Sequence, residues 1–183
     1  MDGGIAMGSV RLYGATSGYL ELQAPDVSPD AALVLPSTGF GKVLQVVRAT
    51  DSTQRTTTST SFTDVTGMSV TITPQKSDSA VMIIMKVTAL LNVSTTSNRR
   101  GEVQITDSSN NAISGAEAGD LGIASLGSAM EINQGLLAIG YATPATTSAV
   151  TYKVRFKVNS SSATLTFDNN VETGQLYAIE VAA

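Results

Sequence analysis

Three stretches of this chain bring chemically useful residue types close together. The first is "TGFGKV" (38–43), where Gly41 and Lys42 follow a turn, as in loops that cradle a nucleotide's phosphates with backbone N–H groups. Such a loop needs a further glycine at position 36 and a hydroxyl residue at position 43. Pro36 and Val43 stand there instead, so the stretch reads as a flexible joint. The second is "DSSNNAISGAEA" (107–118), where Asp107, Ser109 and Asn111 alternate as calcium ligands do. Ala112 occupies the place of the turn glycine and Ala118 that of the bidentate glutamate, which leaves a polar turn. The third is Lys153, Arg155 and Lys157, a basic stripe along one face of an alternating segment. It is the pattern of a solvated strand face, or of a surface that meets a polyanion or receptor.

Absent residue types narrow the chemistry further. With no histidine and no cysteine, the chain cannot build a Ser-His-Asp or Cys-His nucleophile pair, an imidazole or thiolate metal site, or a disulfide. Its 15 acidic residues are too ordinary a number in 183 to mark an acid-base pair. The expectation is a non-enzymatic protein with no cofactor and no metal. A net charge of −4 argues against a nucleic-acid partner, which calls for a concentrated basic face. Sugar stacking would enlist exposed aromatics, tryptophan above all, and there is no tryptophan. The start, "MDGGIAMGSV", lacks the basic and apolar regions of a signal peptide. The longest apolar run, Ala80 to Leu91, is interrupted by Lys86 and falls short of the roughly 20 residues of a spanning helix. A soluble protein without a membrane partner is expected.

The elements that would carry these residues are strands. Serine and threonine make up about a quarter of the chain, a composition that favours strands and polar turns. "GSVRLYG" and "SGYLELQAP" alternate as short strands, and Pro25, Pro29 and Pro36 then restrict the chain to an extended elbow with a third short strand at "AALVL". From Lys42 onward the pattern is that of one β domain: "KVLQVVRAT", "MSVTITP", "GEVQITD", "AMEINQGLLAIGYA" and "GQLYAIEVAA" read as strands. In "SAVTYKVRFKV", Val150, Tyr152, Val154, Phe156 and Val158 share one face, and "ATLTF" repeats the alternation after "NSSS", which points to a hairpin. Residues 108–128 are poor in charge and rich in Gly, Ala and Ser, and read as a long loop that packs against another subunit. The fold expected is all-β: a jelly-roll-like antiparallel β-sandwich over 42–183, preceded by a short extended N-terminal arm over 1–41.

One segment has two apolar faces. In "SAVMIIMKVTALLNV", Val81, Ile83, Met85, Val87, Ala89 and Leu91 form one, while Met82, Ile84 and Leu90 load the other. That is the signature of a central strand or of one at a subunit interface. A small domain has few layers with which to cover both faces, so Met82, Ile84 and Leu90 are expected to meet a partner.

"SGYLELQAPDVSPDAALVLPSTG" (17–39) resembles a segment common in tailed-phage virion proteins: alternating apolar residues, Gln-Ala-Pro, a spacer, then Leu-x-Leu-Pro. "KVLQVVRATDSTQRTTTSTSFTDVTGMSVTITP" and the ending "LYAIEVAA" look like the surface β domain that often follows it. The resemblance spans nearly the whole chain and carries no catalytic residues. It implies a docking or trimer-braiding arm, with Leu20, Leu22, Pro25, Leu33, Leu35 and Pro36 as its contact positions. It further implies a homotrimeric decoration or cement protein on the virion surface, assembled in the host cytoplasm, whose arm docks on the major capsid protein or another virion protein. The alternative it leaves is a receptor-binding head- or tail-fibre module that contacts the host surface.

Overall fold

The computed structural model describes residues 9–13, 19–23, 42–94, 98–123 and 129–183, all of them in strands, turns and connections. Contacts group the chain into two units, Met1–Phe40 and Gly41–Ala183. In the first, β1 (Ser9–Tyr13) pairs antiparallel with β2 (Tyr19–Gln23). The register sets Leu20 opposite Leu12 and Leu22 opposite Val10. Pro25, Leu33, Leu35 and Pro36, and the strand expected at "AALVL", lie outside the described residues.

The second unit is an antiparallel, jelly-roll-like sandwich of two sheets. Its strands are β3 (Val43–Asp51), β4 (Arg55–Thr57), β5 (Thr63–Ile72), β6 (Ala80–Val93), β7 (Arg99–Asp107), β8 (Gly119–Ile123), β9 (Met130–Ala142), β10 (Val150–Val158), β11 (Ala163–Phe167) and β12 (Gly174–Val181). The smaller sheet has the order β5-β10-β7-β8. The larger is built on β6. Strand β9 pairs along its whole length on one side; on the other, β12 pairs with Ala80–Lys86 and β11 with Ala89–Val93. Strand β3 flanks β12, and β4 flanks β11.

Alternation explains which residues fill the space between the sheets. Tyr152, Val154, Phe156 and Val158 of β10 face Val81, Ile83, Met85, Val87, Ala89 and Leu91 of β6, all buried. Phe156 from the small sheet meets Phe167 from the large one with ring centroids 5.3 Å apart. Strand β5 buries both Val65 and Met68, three positions apart. A register shift that pairs Lys153 with Ser69 but Arg155 with Asp64, together with a left-handed Gly67 (φ 86), inserts three extra residues, and that odd number makes this possible.

Two expectations are corrected. Strands β10 and β11 are not a hairpin: the Asn159–Ser162 corner carries the chain from one sheet to the other, and β11 pairs with β6 and β4. Alternation alone reads the same in both cases, because the inward faces of two opposed sheets also meet. Nor is 108–123 a loop left over for a neighbour. Ile113, Ala116 and Leu121 are buried in the chain's own core, Ile105 exchanges backbone bonds with Ile113 and Ala116, and Gly119–Ile123 is a strand on β7. Small residues serve close packing here: a Cβ on Gly140 would sit 2.9 Å from Ile113.

Candidate assembly surface

The chemically suggestive stretches are satisfied within the chain. Lys42 Nζ donates to the Ala183 carbonyl at 3.1 Å, tying the start of β3 to the chain end. The Asp107 carboxylate accepts the Ser109 and Asn111 N–H groups at 2.8 and 2.9 Å and the Asn111 amide at 2.8 Å. The Asn111 bond, ahead of the burial that opposes it, holds its pKa below the usual range. This is a closed turn, with Asn110 in a left-handed conformation. The basic stripe is ion-paired: Lys153 and Arg155 hold Asp64 at 2.7 and 2.9 Å, and Lys157 holds Glu102 at 3.0 Å while lying over the Phe62 ring. Among the described residues no three acidic side chains come together as a metal site would need.

Two buried carboxylates organise the ends of the large sheet. Glu180, on the inner face of β12, accepts Ser79 Oγ at 2.6 Å and Gln75 N at 2.8 Å on one oxygen, and Gln45 Nε2 at 2.6 Å on the other. Burial pushes its pKa up, but these bonds and one from Lys76 N prevail and hold it below the ordinary value. Asp51, at the end of β3, takes a bidentate pair from Arg55 at 2.8 and 3.0 Å and a bond from Asn169 at 3.1 Å. Arg55 is the main cause of its lowered pKa.

The outer face of the large sheet is different. Directly paired residues share a face, so the registers define its side-chain rows. One row runs Val46, Ile179, Met82, Tyr141; the next Arg48, Tyr177, Ile84, Ile139; the third Thr50, Gln175, Lys86, Leu137. Val46 and Tyr141 are each 56% exposed, Ile139 46% and Leu137 59%. With strands about 4.8 Å apart and rows about 6.8 Å apart, the apolar positions of these rows cover roughly 260 Å² in plan. Its rim is polar. Arg48 lies over the Tyr177 ring and donates to Gln175, and Lys86 pairs with Glu172, whose pKa that ammonium, with the Thr88 hydroxyl, holds down.

Met82 and Ile84, expected at an interface, therefore lie together, half-buried, at the middle of this face. Leu90 does not join them. It stands in a row with Thr56, Thr166 and Asn133, beyond Lys86 and Thr88. The β9 contribution went unread in the sequence, although "LLAIGY" carries its signal: Leu137, Ile139 and Tyr141 alternate with Leu136 and the small Ala138 and Gly140. Likewise, Tyr177, Ile179 and Val181 of the last strand share a face, the outer one.

A half-open cleft of about 350 Å³ lies at one end of the sandwich, lined by Asp107, Ser108, Ile113, Thr143, Pro144 and Tyr152 among others. Burial, with the Asp107 charge second, pushes the Tyr152 hydroxyl's pKa up, so it stays protonated.

No protein-family model matches the sequence, and no curated protein matches it. Among solved structures, a mutant VP2 protein of infectious bursal disease virus in derived T=1 particles is similar over 90% of this chain and 43% of its own. The identity is 13% and the TM-score 0.36. A chain of the infectious bursal disease virus Gx strain structure is similar over 91% and 43%, with 15% identity and a TM-score of 0.34. This chain thus spans less than half the length of those it matches. Scores at this level establish no shared role.

Proposed function

We propose that this chain is a non-enzymatic structural protein of a tailed-phage virion, a surface decoration protein that works by assembling. In this reading the sandwich associates as a homotrimer through the outer face of its large sheet, and residues 1–41 form the arm that docks on the major capsid protein or another virion protein. The observation that carries it is the apolar face around Met82, Ile84, Ile139 and Tyr141, framed by polar and charged residues. A contiguous apolar patch of this kind is often functional, and a cyclic arrangement gives each copy's face a neighbour. The suggestive polar groups are engaged in internal pairs, in keeping with a structural role. The virion assignment rests on the sequence resemblance of 17–39 and of the β domain after it.

A second reading, a receptor-binding head- or tail-fibre module, draws on the cleft beside Asp107 and Tyr152. Labelling the protein on intact particles separates the two. Label spread over the whole shell supports decoration; label confined to a single vertex contradicts it.

A further inference from the structure

Sheet edges are where a β protein is open to unwanted pairing, and they are normally blunted by charge, proline, bulges or shortness. Most edges of this sandwich obey. Strand β3 carries Arg48, and its Leu44 carbonyl accepts Gln75 Nε2; β4 has three residues; β5 carries Asp64 and a bulge; β8 has five residues, with Asp120 paired to Arg100. Strand β9 does not. It is 13 residues long, pairs with β6 without a register break, and contains no lysine, arginine or proline. Along its other side, among the described residues, its backbone partner is Ser114, whose carbonyl accepts the Tyr141 N–H at 2.9 Å, with Gly115 lying against the Ile139 carbonyl.

That one bond sets the parity. In an antiparallel strand the N–H and C=O of a residue point to the same edge, and the edge alternates along the chain. Since Tyr141 points away from β6, so do Leu137, Gly135, Asn133 and Glu131. At Gly135 an added Cβ would meet nothing within 4 Å, so the sheet face beside the middle of this stretch is uncrowded.

We propose that this edge pairs with β9 of a second copy of the chain, antiparallel across a twofold axis at Gln134. Glu131 then lies opposite Leu137 and Asn133 opposite Gly135, which uses the four outward residues of each strand other than Ile139 and Tyr141, the two that meet Ser114 and Gly115. The stretch is self-complementary in charge as well: its one charged residue, Glu131, faces an apolar residue, whereas a register centred on Glu131 would set carboxylate against carboxylate. The contact is independent of the apolar face, so it stands or falls apart from the trimer. If both hold, it joins one trimer to the next.

The chain has no cysteine, which makes a disulfide test clean. Gln134 is exposed, and across the axis it would form the non-hydrogen-bonded pair, with Cα atoms about 4.5 Å apart, within disulfide range. Full-length Gln134→Cys should oxidise mostly to a covalent dimer at micromolar concentration. Leu137→Cys, whose symmetry mate would lie about 20 Å away, should stay uncrosslinked. In the cysteine-free chain, Asn133→Lys should halve the native mass. Absence of the Gln134→Cys dimer, equal crosslinking of the two variants, or an unchanged mass for Asn133→Lys would each overturn the proposal.

Discussion

The Ser79 hydroxyl donates to the wholly buried Glu180 carboxylate at 2.6 Å, joining the start of β6 to the end of β12. The same oxygen receives Gln75 N at 2.8 Å, so one side chain fixes the β5–β6 connection. Glu180→Ala would strand these donors in a closed space and should cost about 2–3 kcal/mol in chemical denaturation. Loss of under half a kcal/mol would show that water replaces the carboxylate freely.

The pH dependence follows in sign. Glu180 and Asp51 both have folded-state pKa values below their ordinary ones of 4.5 and 3.8. Their contribution to stability is therefore complete above those ordinary values and is lost as pH falls through the lower folded-state ones. The unfolding midpoint should respond little to these two groups from pH 7 to 5 and drop below about pH 4.5. Glu180→Gln should flatten that drop; an unchanged slope would remove Glu180 from the account.

Two glycines offer a contrast. Gly67 has φ 86, and an added Cβ would lie 2.9 Å from Asp51 Cγ, so Gly67→Ala should destabilise by about 1–3 kcal/mol. Gly135 has open space around it, and Gly135→Ala should be neutral or stabilise by up to about 1 kcal/mol. Thermal unfolding of the two variants side by side checks both, and equal losses would refute the local picture.

The sandwich should fold without the arm. Among the described residues, its buried apolar core runs from Val65 to Ala178 and packs the strands of this unit against one another. A chain beginning at Lys42 is expected to keep β-type circular dichroism and a cooperative transition, and under the proposed decoration role it should fail to join the virion. An unfolded product would reject the division.

Much of this architecture could be read from residue order, because period-two alternation in β6, β10 and β12 is a direct consequence of strand geometry. What alternation cannot report is the sheet to which a strand belongs, which is why β10 and β11 read as a hairpin. It also cannot say which face turns inward when both are apolar. Met82 and Ile84 were recognisable as a surplus face, but their neighbours Ile139, Tyr141 and Tyr177 come from strands about 55 and 95 positions away, joined only by long-range register. Glu180 escaped notice for a related reason: a lone acid near a chain end reads as solvated until the 75–79 connection folds over it.

Assembly through the outer face of the large sheet is the central claim, and the native mass of the purified protein tests it. Light scattering at micromolar concentration should give three chains or a multiple of three. Ile139→Asp, which places a charge on an exposed position and so spares the fold, should lose the threefold association while keeping β-type circular dichroism. A wild-type protein that remains a stable monomer would contradict the account.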